Sequence, residues 1–422
     1  MRATTAFNKM LAIPGAVVVG VSFGRDGIEV SLRLRARRLR CPCGWSTRAV
    51  YDRAERRWRH LDLGGSRLLL SAQIRRLYCR RCARVVTEQV PWARPGARFT
   101  RDFEDLVAWL AQRMDKTAIC RLLRCSWKSV AAIVVRVVAD HVDDARLDDV
   151  YRIGVDEVSY RKGHRYLTVV ADHDRDGAVL WVGEGKSGAT FQHFFDQLGP
   201  QRAAQLDAVS MDLTGAWPKV CAQNAPQAQV CADPFHVVKL ANNAVDEVRR
   251  GQWNSTRHTG GRLRRTARGR VSTDPAAQLV KKTRWALLKD PAAWTDHQAD
   301  QIAALRRARH VLFRAWALKE ELRDLYRLPA GKRPDAHLDR WLGWAARCRI
   351  PAMIELARTI RAHRNTILAA VELGLSNSKL EGLNSKTRLI NHRGYGHHSA
   401  AAVIAMIYLC CSGISIELPT QR

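Results

Sequence analysis

Long apolar runs are scarce in this 422-residue chain. Its first residues, MRATTAFNKMLAIPG, have neither the apolar centre nor the cleavage site of a secretory signal. The longest apolar run near the C-terminus, residues 400–411, is too short to cross a bilayer and predicts a buried helix instead. We therefore expect a soluble cytoplasmic protein with no membrane partner.

Acidic residues are also in short supply. The chain has 40 of them against 70 lysines and arginines, which gives a formal charge of +30. An excess of one sign repels itself unless a polyanion neutralises it. Neutralising phosphates releases counterions, so nucleic acid is the expected partner. A GC-rich genome favours arginine codons, but that bias does not explain the excess over acids.

The cysteines do not suit a disulfide framework, because their number, 11, is odd. Four of them form two close pairs, Cys41/Cys43 and Cys79/Cys82. Two residues between cysteines make a compact chelating turn, whereas the single residue between Cys41 and Cys43 strains tetrahedral binding. We predict a structural Zn²⁺ held by all four, with free thiols as the alternative. The other seven are predicted to be buried apolar residues.

The pattern along the chain predicts an α/β multidomain protein. Residues 16–36 alternate as strands do around a turn at 24–27, and residues 101–143 turn helical. Two helices flank a break at Cys125-Ser126, with Ser126 as the cap of the second. This arrangement resembles a helix-turn-helix with Lys128 on the DNA-reading helix, although two amphipathic helices could simply pack together.

Residues 150–240 alternate strand and helix patterns. Strands are predicted at 151–158, 165–172, 178–183, 207–211 and 228–232, and helices at 188–198, 215–223 and 234–250. Short turns between the first three strands predict an antiparallel meander, and the later alternation predicts parallel additions. A ribonuclease-H-like (RNase-H-like) sheet needs this order. Residues 245–375 read as mostly helical, and two final helices are predicted at 376–390 and 399–411.

Three acids stand out against this background. Asp156 in RIGVDEVS and Asp212 in AVSMDLTG each end an apolar run, so we expect each to end a strand. Glu381 in SKLEGLNSK lies in a helical stretch. Taken alone, each is an ordinary surface carboxylate. Brought together, three such hard oxygen ligands could hold two Mg²⁺ (or Mn²⁺) ions for displacement at phosphorus.

These segments carry a resemblance to a known family. The segments MDLTGAWPK, DPFHVVKLANNAVDEVRR and KLEGLNSKTRLINHRGYGHHS, with VDE upstream, resemble the DDE transposases of bacterial insertion sequences, and the ISL3 family in particular. The resemblance implies an RNase-H-like catalytic domain with a helical insertion, preceded by a small zinc ribbon and a helix-turn-helix. The implied ranges are 1–92 (zinc ribbon), 98–145 (helix-turn-helix), 150–245 (first part of the core), 246–375 (insertion) and 376–422 (final helices).

The resemblance also implies residue roles. Asp156, Asp212 and Glu381 match the catalytic, metal-binding acids. Asp233 and His236 match a D-x-x-H motif that supports the active site, and Asp233 is the rival of Asp212 as second acid. A hydrogen-bonded helix histidine without a catalytic role is the alternative for His236.

Basic residues near these motifs are predicted to bind nucleic acid. Residues 249–272 contain eight arginines and no acid, which predicts a phosphate-binding loop or a disordered surface segment. The predicted DNA contacts are Arg249, Arg250, Arg262, Arg264, Arg265, Lys128, Lys386, Arg388 and Arg393.

The leading hypothesis is a transposase that binds the terminal inverted repeats of its element and then cleaves and joins DNA. Its partners would be double-stranded DNA, both transposon ends and target, and further copies of itself in a homodimer or higher oligomer. It would work in the bacterial cytoplasm, at the nucleoid. The alternatives are a catalytically inactive or domesticated DNA-binding regulator, and an RNase-H-type nuclease or resolvase without strand transfer.

Overall fold

A computed structural model of the chain describes residues 2–421 except 162, 214, 260–262, 267–268, 273–274, 309, 330, 395 and 398; between 256 and 277 it describes backbone elements alone. The chain divides into two compact units, residues 1–143 with 389–422, and residues 144–388. The five predicted domain ranges are finer than this division and stay a prediction. Among the described helices, none is both long and apolar enough to cross a membrane.

The first unit opens with a helix and a sheet. Its first elements are α1 (Ala3–Leu11), β1 (Ala16–Gly24), β2 (Gly27–Leu34), β3 (Leu39–Arg40), β4 (Ser46–Thr47), β5 (Asp52–Leu63), β6 (Ser66–Cys79) and β7 (Arg84–Thr87). The sheet order is β1-β2-β6-β5, with β7 on β6. The turn predicted at 24–27 joins β1 to β2 as an antiparallel hairpin. Alternate side chains of β2 are buried, as its alternating sequence predicts.

Three helices follow in the same unit: α2 (Arg101–Ala111), α3 (Lys116–Leu123) and α4 (Trp127–His141). Thr100, Asp115 and Ser126 cap their N-termini through side-chain oxygens. The predicted break and the predicted Ser126 cap are therefore confirmed.

The second unit is built on a five-stranded sheet. Its strands are β8 (Arg152–Arg161), β9 (Arg165–Asp172), β10 (Ala178–Glu184), β11 (Ala208–Met211) and β12 (Gln229–Ala232). Their order is β10-β9-β8-β11-β12. The first three pair antiparallel, and β11 runs parallel to both β8 and β12. The predicted meander and the predicted parallel additions are both present.

One strand is longer than the sequence predicts. Residues 152–154 of β8 pair with β11, while its antiparallel pairing with β9 continues to Arg161. The expectation that Asp156 ends its strand is therefore wrong, because β9 holds the chain extended past it. Asp156 lies two residues beyond the parallel pairing, so it still faces the edge where β11 ends.

Helices make up most of the remaining chain. They are α5 (Gly188–Leu198), α6 (Pro200–Ala203), α7 (Trp217–Asn224), α8 (Pro234–Thr259), α9 (Pro275–Lys282), α10 (Arg284–Leu288), α11 (Asp296–Arg307), α12 (Val311–Asp324), α13 (Pro334–Arg347), α14 (Pro351–Ala362), α15 (Arg364–Glu372), α16 (Ser378–Arg393) and α17 (Ala400–Cys411). In the first unit α17 packs against α4 and has seven buried side chains, so the apolar run is a buried helix as predicted. In the second unit α8 packs against α12 and α14 around Leu318 and Trp341.

The prediction of a loop at 249–272 is wrong. Helix α8 continues to Thr259, and β13 (Leu263–Thr266) then pairs antiparallel with β14 (Gly269–Ser272). Val245, Val248 and Trp253 pack against the helical core, and such packing extends a helix beyond what local composition favours.

Candidate active site

Asp156 is held by two donors on opposite sides. The Glu157 backbone N–H donates to Asp156 Oδ1 at 2.7 Å, and Asn384 Nδ2 donates to Asp156 Oδ2 at 2.7 Å. Asn384 lies on α16, so this bond ties the late helix to the sheet. Gly154 permits the approach, because a Cβ there would lie 2.6 Å from Leu380 Cδ1 on the same helix.

Asp212 follows β11 directly and is partly exposed. Its Oδ2 lies 3.5 Å from Nε2 of His236, in the first turn of α8. The other ring nitrogen, Nδ1, lies 2.8 Å from Asp233 Oδ2. His236 therefore stands between the two candidates for the second acid.

Asp233 differs from Asp212 in being enclosed. Its side chain is 2% exposed, against 32% for Asp212. Its Oδ1 accepts from the backbone N–H groups of Phe235 at 3.3 Å and Asn377 at 3.1 Å, and its Oδ2 faces the His236 ring. Both oxygens are used within the protein, so Asp233 organises the site instead of facing the cleft.

Asn377 joins the elements that carry these acids. Its backbone N–H bonds Asp233, its Nδ2 donates to the Val155 carbonyl on β8 at 3.2 Å, and its Oδ1 accepts from the Ser210 hydroxyl on β11. His173 Nε2 lies 2.7 Å from the same hydroxyl oxygen. Because that hydroxyl donates its only hydrogen to Asn377, His173 donates to it. The side chain of Asn377 thus bridges β8 and β11 immediately before α16 begins.

Glu381 lies on the first turn of α16. Asn377 fixes the N-terminus of this helix, because its carbonyl accepts a hydrogen bond from the Glu381 backbone N–H at 2.9 Å. The side chain of Glu381 is exposed. Partial burial raises the pKa of Glu381, and the negative charges of Asp233 and Asp156 raise it further. Within the described part of the chain, four cysteines, and not these acids, have ligand atoms all within 4.8 Å of one another.

The acids and the histidine of the site have shifted pKa values. Burial raises the pKa of Asp156, as it does that of Glu381. The hydrogen bond to Asp233 raises the pKa of His236 despite its burial, and the charge of Asp212 raises it further. A protonated imidazole beside the acids would offset part of the repulsion between them.

A cleft of about 290 Å³ opens beside these groups. Asp156, Asp212 and His236 line it together with Lys186 and Lys239. Lys186 Nζ lies 3.6 Å from Glu157 Oε2 and 4.2 Å from the centre of the Tyr166 ring. Neither lysine is among the site residues predicted from the sequence. Lys239 closes the DPFHVVK motif three residues after His236 and could have been found there, whereas no local pattern indicates Lys186.

The predicted DNA-binding residues have different environments. Arg249 is nearly buried, with Nη2 2.7 Å from Asp246 Oδ1, whereas Arg250 is 65% exposed. Lys128, Lys386 and Arg388 are exposed, and Arg393 is half-buried. Arg262 and the side chains of Arg264 and Arg265 lie outside the described residues. A role in DNA binding stays a prediction for all of them.

The four paired cysteines form one cluster in the first unit. Cys41 Sγ lies 3.9 Å from Cys82 Sγ, and Cys43 Sγ lies 3.5 Å from Cys79 Sγ. A tetrahedral zinc with Zn–S bonds of about 2.3 Å separates its sulfurs by about 3.8 Å, so the cluster fits Zn²⁺. The one-residue spacing therefore does not keep Cys41 and Cys43 from facing the same centre.

The other cysteines only partly match their prediction. Four are buried as expected: Cys221, Cys231, Cys348 and Cys411. Cys120, Cys125 and Cys410 are half-buried instead, because they lie at helix surfaces or in the turn before α4.

Family comparisons agree with this layout. A family model described as "Transposase", of the ISL3 family, matches residues 153–407. The chain belongs to the ISL3 family of transposases. A model for the helix-turn-helix domain of that family matches residues 88–138, and a model for the zinc finger of the transposases of IS204, IS1001, IS1096 and IS1165 matches residues 42–82. The resemblance stated from the sequence is confirmed.

Curated relatives span all or most of the chain. A transposase for insertion sequence element IS1557 of Mycobacterium tuberculosis is 39% identical over 443 aligned residues, which cover 100% of this chain and 98% of that protein. A transposase for IS1001 of Bordetella parapertussis is 29% identical over 374 residues, 88% of each chain. The protein is thus an insertion-sequence transposase with a DNA-binding helix-turn-helix and a zinc-ribbon domain.

Proposed function

We propose that this transposase cleaves and joins DNA ends at the cleft beside β8 and β11, using two divalent ions. The proposal depends chiefly on one observation: Asp156 and Asp212 line a single cleft, and Asn384 and Asn377 bring the helix that carries Glu381 to its edge. The order of antiparallel and parallel strands supports an RNase-H-like core, with the helices between β12 and α16 as its insertion.

The donor set suits magnesium. Asp156, Asp212 and Glu381 offer hard carboxylate oxygens, the ligands that Mg²⁺ and Mn²⁺ prefer. Bound there, such ions would activate the attacking water or 3′-hydroxyl and stabilise the leaving oxygen. Asp212, and not Asp233, is the second ligand of this proposal, because Asp233 could bind a metal only by giving up hydrogen bonds in an enclosed site.

The protein's own groups position the DNA. Asn384 and the Glu157 N–H fix the orientation of the Asp156 carboxylate. His236, held by Asp233 and positively charged when protonated, faces the cleft, where it would contact the scissile phosphate. Lys186 and Lys239 would hold the neighbouring phosphates as point charges.

The two ends of an element must be cut and joined together, so the active form would be at least a dimer on DNA. The helix-turn-helix would bind the terminal inverted repeats, with exposed Lys128 on its second helix. The exposed Arg250, Lys386 and Arg388 would contact flanking or target DNA. With chromosomal DNA as its substrate, the enzyme would act at the bacterial nucleoid.

A cleavage assay tests the proposal. The purified chain is incubated with a labelled duplex copied from the element's own end, as read from the DNA flanking its gene. We expect nicks that leave a 3′-hydroxyl with Mg²⁺ or Mn²⁺ and none with EDTA, followed by joining to a target plasmid. Binding without nicking under either ion would support a DNA-binding regulator instead, and nicking without joining would support a nuclease or resolvase.

Asn377→Ala is expected to lower the rate of end cleavage about 10- to 100-fold, the usual effect of removing a group that orients metal ligands. The reason is that its side chain links β8 to β11 where the catalytic helix begins. The measurement is the rate as a function of Mg²⁺ concentration, together with the melting temperature.

A purely structural role for Asn377 would lower the melting temperature and leave the Mg²⁺ concentration for half-maximal rate unchanged. We expect that concentration to rise. Asn224→Ala is the control, since Asn224 is likewise an asparagine hydrogen-bonded within this unit, but it is half-buried and bonds Gln192. An unchanged Mg²⁺ dependence in Asn377→Ala would contradict the positioning role.

A further inference from the structure

The first turn of α8 carries an exposed aromatic ring at the edge of the cleft. Phe235 is 53% exposed. The centre of its ring lies 5.6 Å from that of His236, with the two planes at 85°. His236 itself lines the cleft. A large apolar side chain thus faces solvent next to the groups proposed to act on DNA.

The helical core does not need this ring. The buried stripe of α8 runs along Val237, Ala241, Ala244 and Val245, at the spacing of one helix face. Phe235 lies outside that stripe and outside the core cluster. Its exposure is therefore not explained by packing within this unit.

The backbone under Phe235 is fixed. Pro234 occupies the first helical position, where its restricted φ suits a helix start. The Phe235 N–H donates to Asp233 Oδ1, which also accepts from the Asn377 N–H. Because the backbone at Phe235 is already fixed, its ring loses little conformational freedom when a ligand stacks on it.

A basic side chain lies on the same helix face as Phe235. Lys239 follows Phe235 by four residues, a spacing that places the two Cβ atoms about 5–6 Å apart. Lys239 is exposed and lines the cleft with His236. An aromatic ring for a base and an ammonium group for a phosphate are the two elements with which proteins bind unpaired nucleotides.

We propose that Phe235 and Lys239 bind one unpaired nucleotide next to the scissile phosphate, with its base stacked on the ring and its phosphate beside the ammonium group. This inference rests on the proposed function, because the cleft must receive DNA. Opening a base pair there would let the backbone bend into the cleft, and the stacked base would offset the cost of unpairing.

The test measures binding, so it does not depend on cleavage. The probe is the end duplex with 2-aminopurine opposite a mismatched base, placed in turn at each position flanking the cut, in Ca²⁺ or without metal. 2-Aminopurine is dim while it is stacked between neighbouring bases of a duplex, and it brightens when it leaves that stack. We expect the wild type to brighten it at one position, more than Phe235→Ala does, and to bind that duplex about tenfold or more tightly than Phe235→Ala does.

Variants separate the two parts of the site. Phe235→Trp should restore the affinity, since it keeps an aromatic face. Lys239→Ala should keep the brightening and weaken binding in low salt more than in high salt. Trp344→Ala is the matched control, an exposed aromatic residue on α13, and should change neither quantity.

Equal brightening and affinity in the wild type and Phe235→Ala would overturn the proposal, as would the absence of brightening at every position. A change of oligomeric state in Phe235→Ala without DNA, seen by sedimentation, would assign the ring to a protein interface instead. Brightening by a wild type that never nicks would contradict the proposed function and still support this site.

Discussion

Asp156→Asn and Asp212→Asn are each expected to lower the rate of 3′-hydroxyl release roughly 10³-fold or more, whereas Asp233→Asn should cost far less. Removing one group that stabilises developing charge usually costs about 10²–10³ in rate, and a lost metal ligand also weakens the binding of the ion. Asp156 and Asp212 face the cleft. Asp233 is enclosed, with both oxygens bonded inside the protein.

Asp233→Asn is expected to cause a different kind of defect. The amide keeps the shape of the carboxylate but removes the charge that helps raise the pKa of His236. We expect the rate to depend more steeply on pH near neutrality, because the imidazole loses its proton at a lower pH than in the wild type. Cleavage by Asp233→Asn should therefore recover as the pH is lowered, and cleavage by Asp212→Asn should not.

The measurement is single-turnover cleavage of the end duplex between pH 6 and 8, with equal DNA occupancy established by gel shift for every variant. Glu157→Gln serves as the matched control, since Glu157 neighbours Asp156 on β8, lines the same cleft and is no part of the proposed metal site. If Asp233→Asn proved inactive at every pH and Asp212→Asn stayed active, the two aspartates would have to exchange roles.

Much of the sheet could be predicted because its strands are short apolar runs between clear turns. β9 begins and ends at the predicted residues, and β11 and β12 each start one residue later than predicted. The end of β8 could not be predicted in this way, because its length is set by pairing with β9 and not by its own residues. The extension of α8 escaped prediction for a similar reason, since the core that packs against it lies far along the chain.

The residues of the candidate site could be predicted where they belong to local motifs. Asp156, Asp212, His236 and Glu381 all lie in short recognisable segments. Asn377 and Ser210 carry no such pattern, and their importance lies in a contact between residues 167 positions apart. Lys186 enters the cleft from the turn after β10, a position that only the folded sheet brings near Asp156.

Cys79→Ser is expected to remove the metal from the first unit and to unfold the segment around β3 and β4. Those two strands are only two residues each, and the apolar cluster beneath them is small, formed mainly by Leu39, Leu77 and the cysteines themselves. Structural zinc contributes on the order of 10 kcal/mol to the folding of such sites. This contribution of zinc to the free energy of folding exceeds what so small an apolar core could supply alone.

Metal content and thermal unfolding measure this effect. We expect one zinc per wild-type chain, and in Cys79→Ser less than a tenth of that, an early unfolding transition and a loss of end binding. Cys410→Ser is the control, because Cys410 is half-buried and lies outside the cluster. A strong chelator should reproduce the Cys79→Ser transition in the wild type. The cysteines would be free thiols if the wild type carried no zinc and the chelator left its melting unchanged.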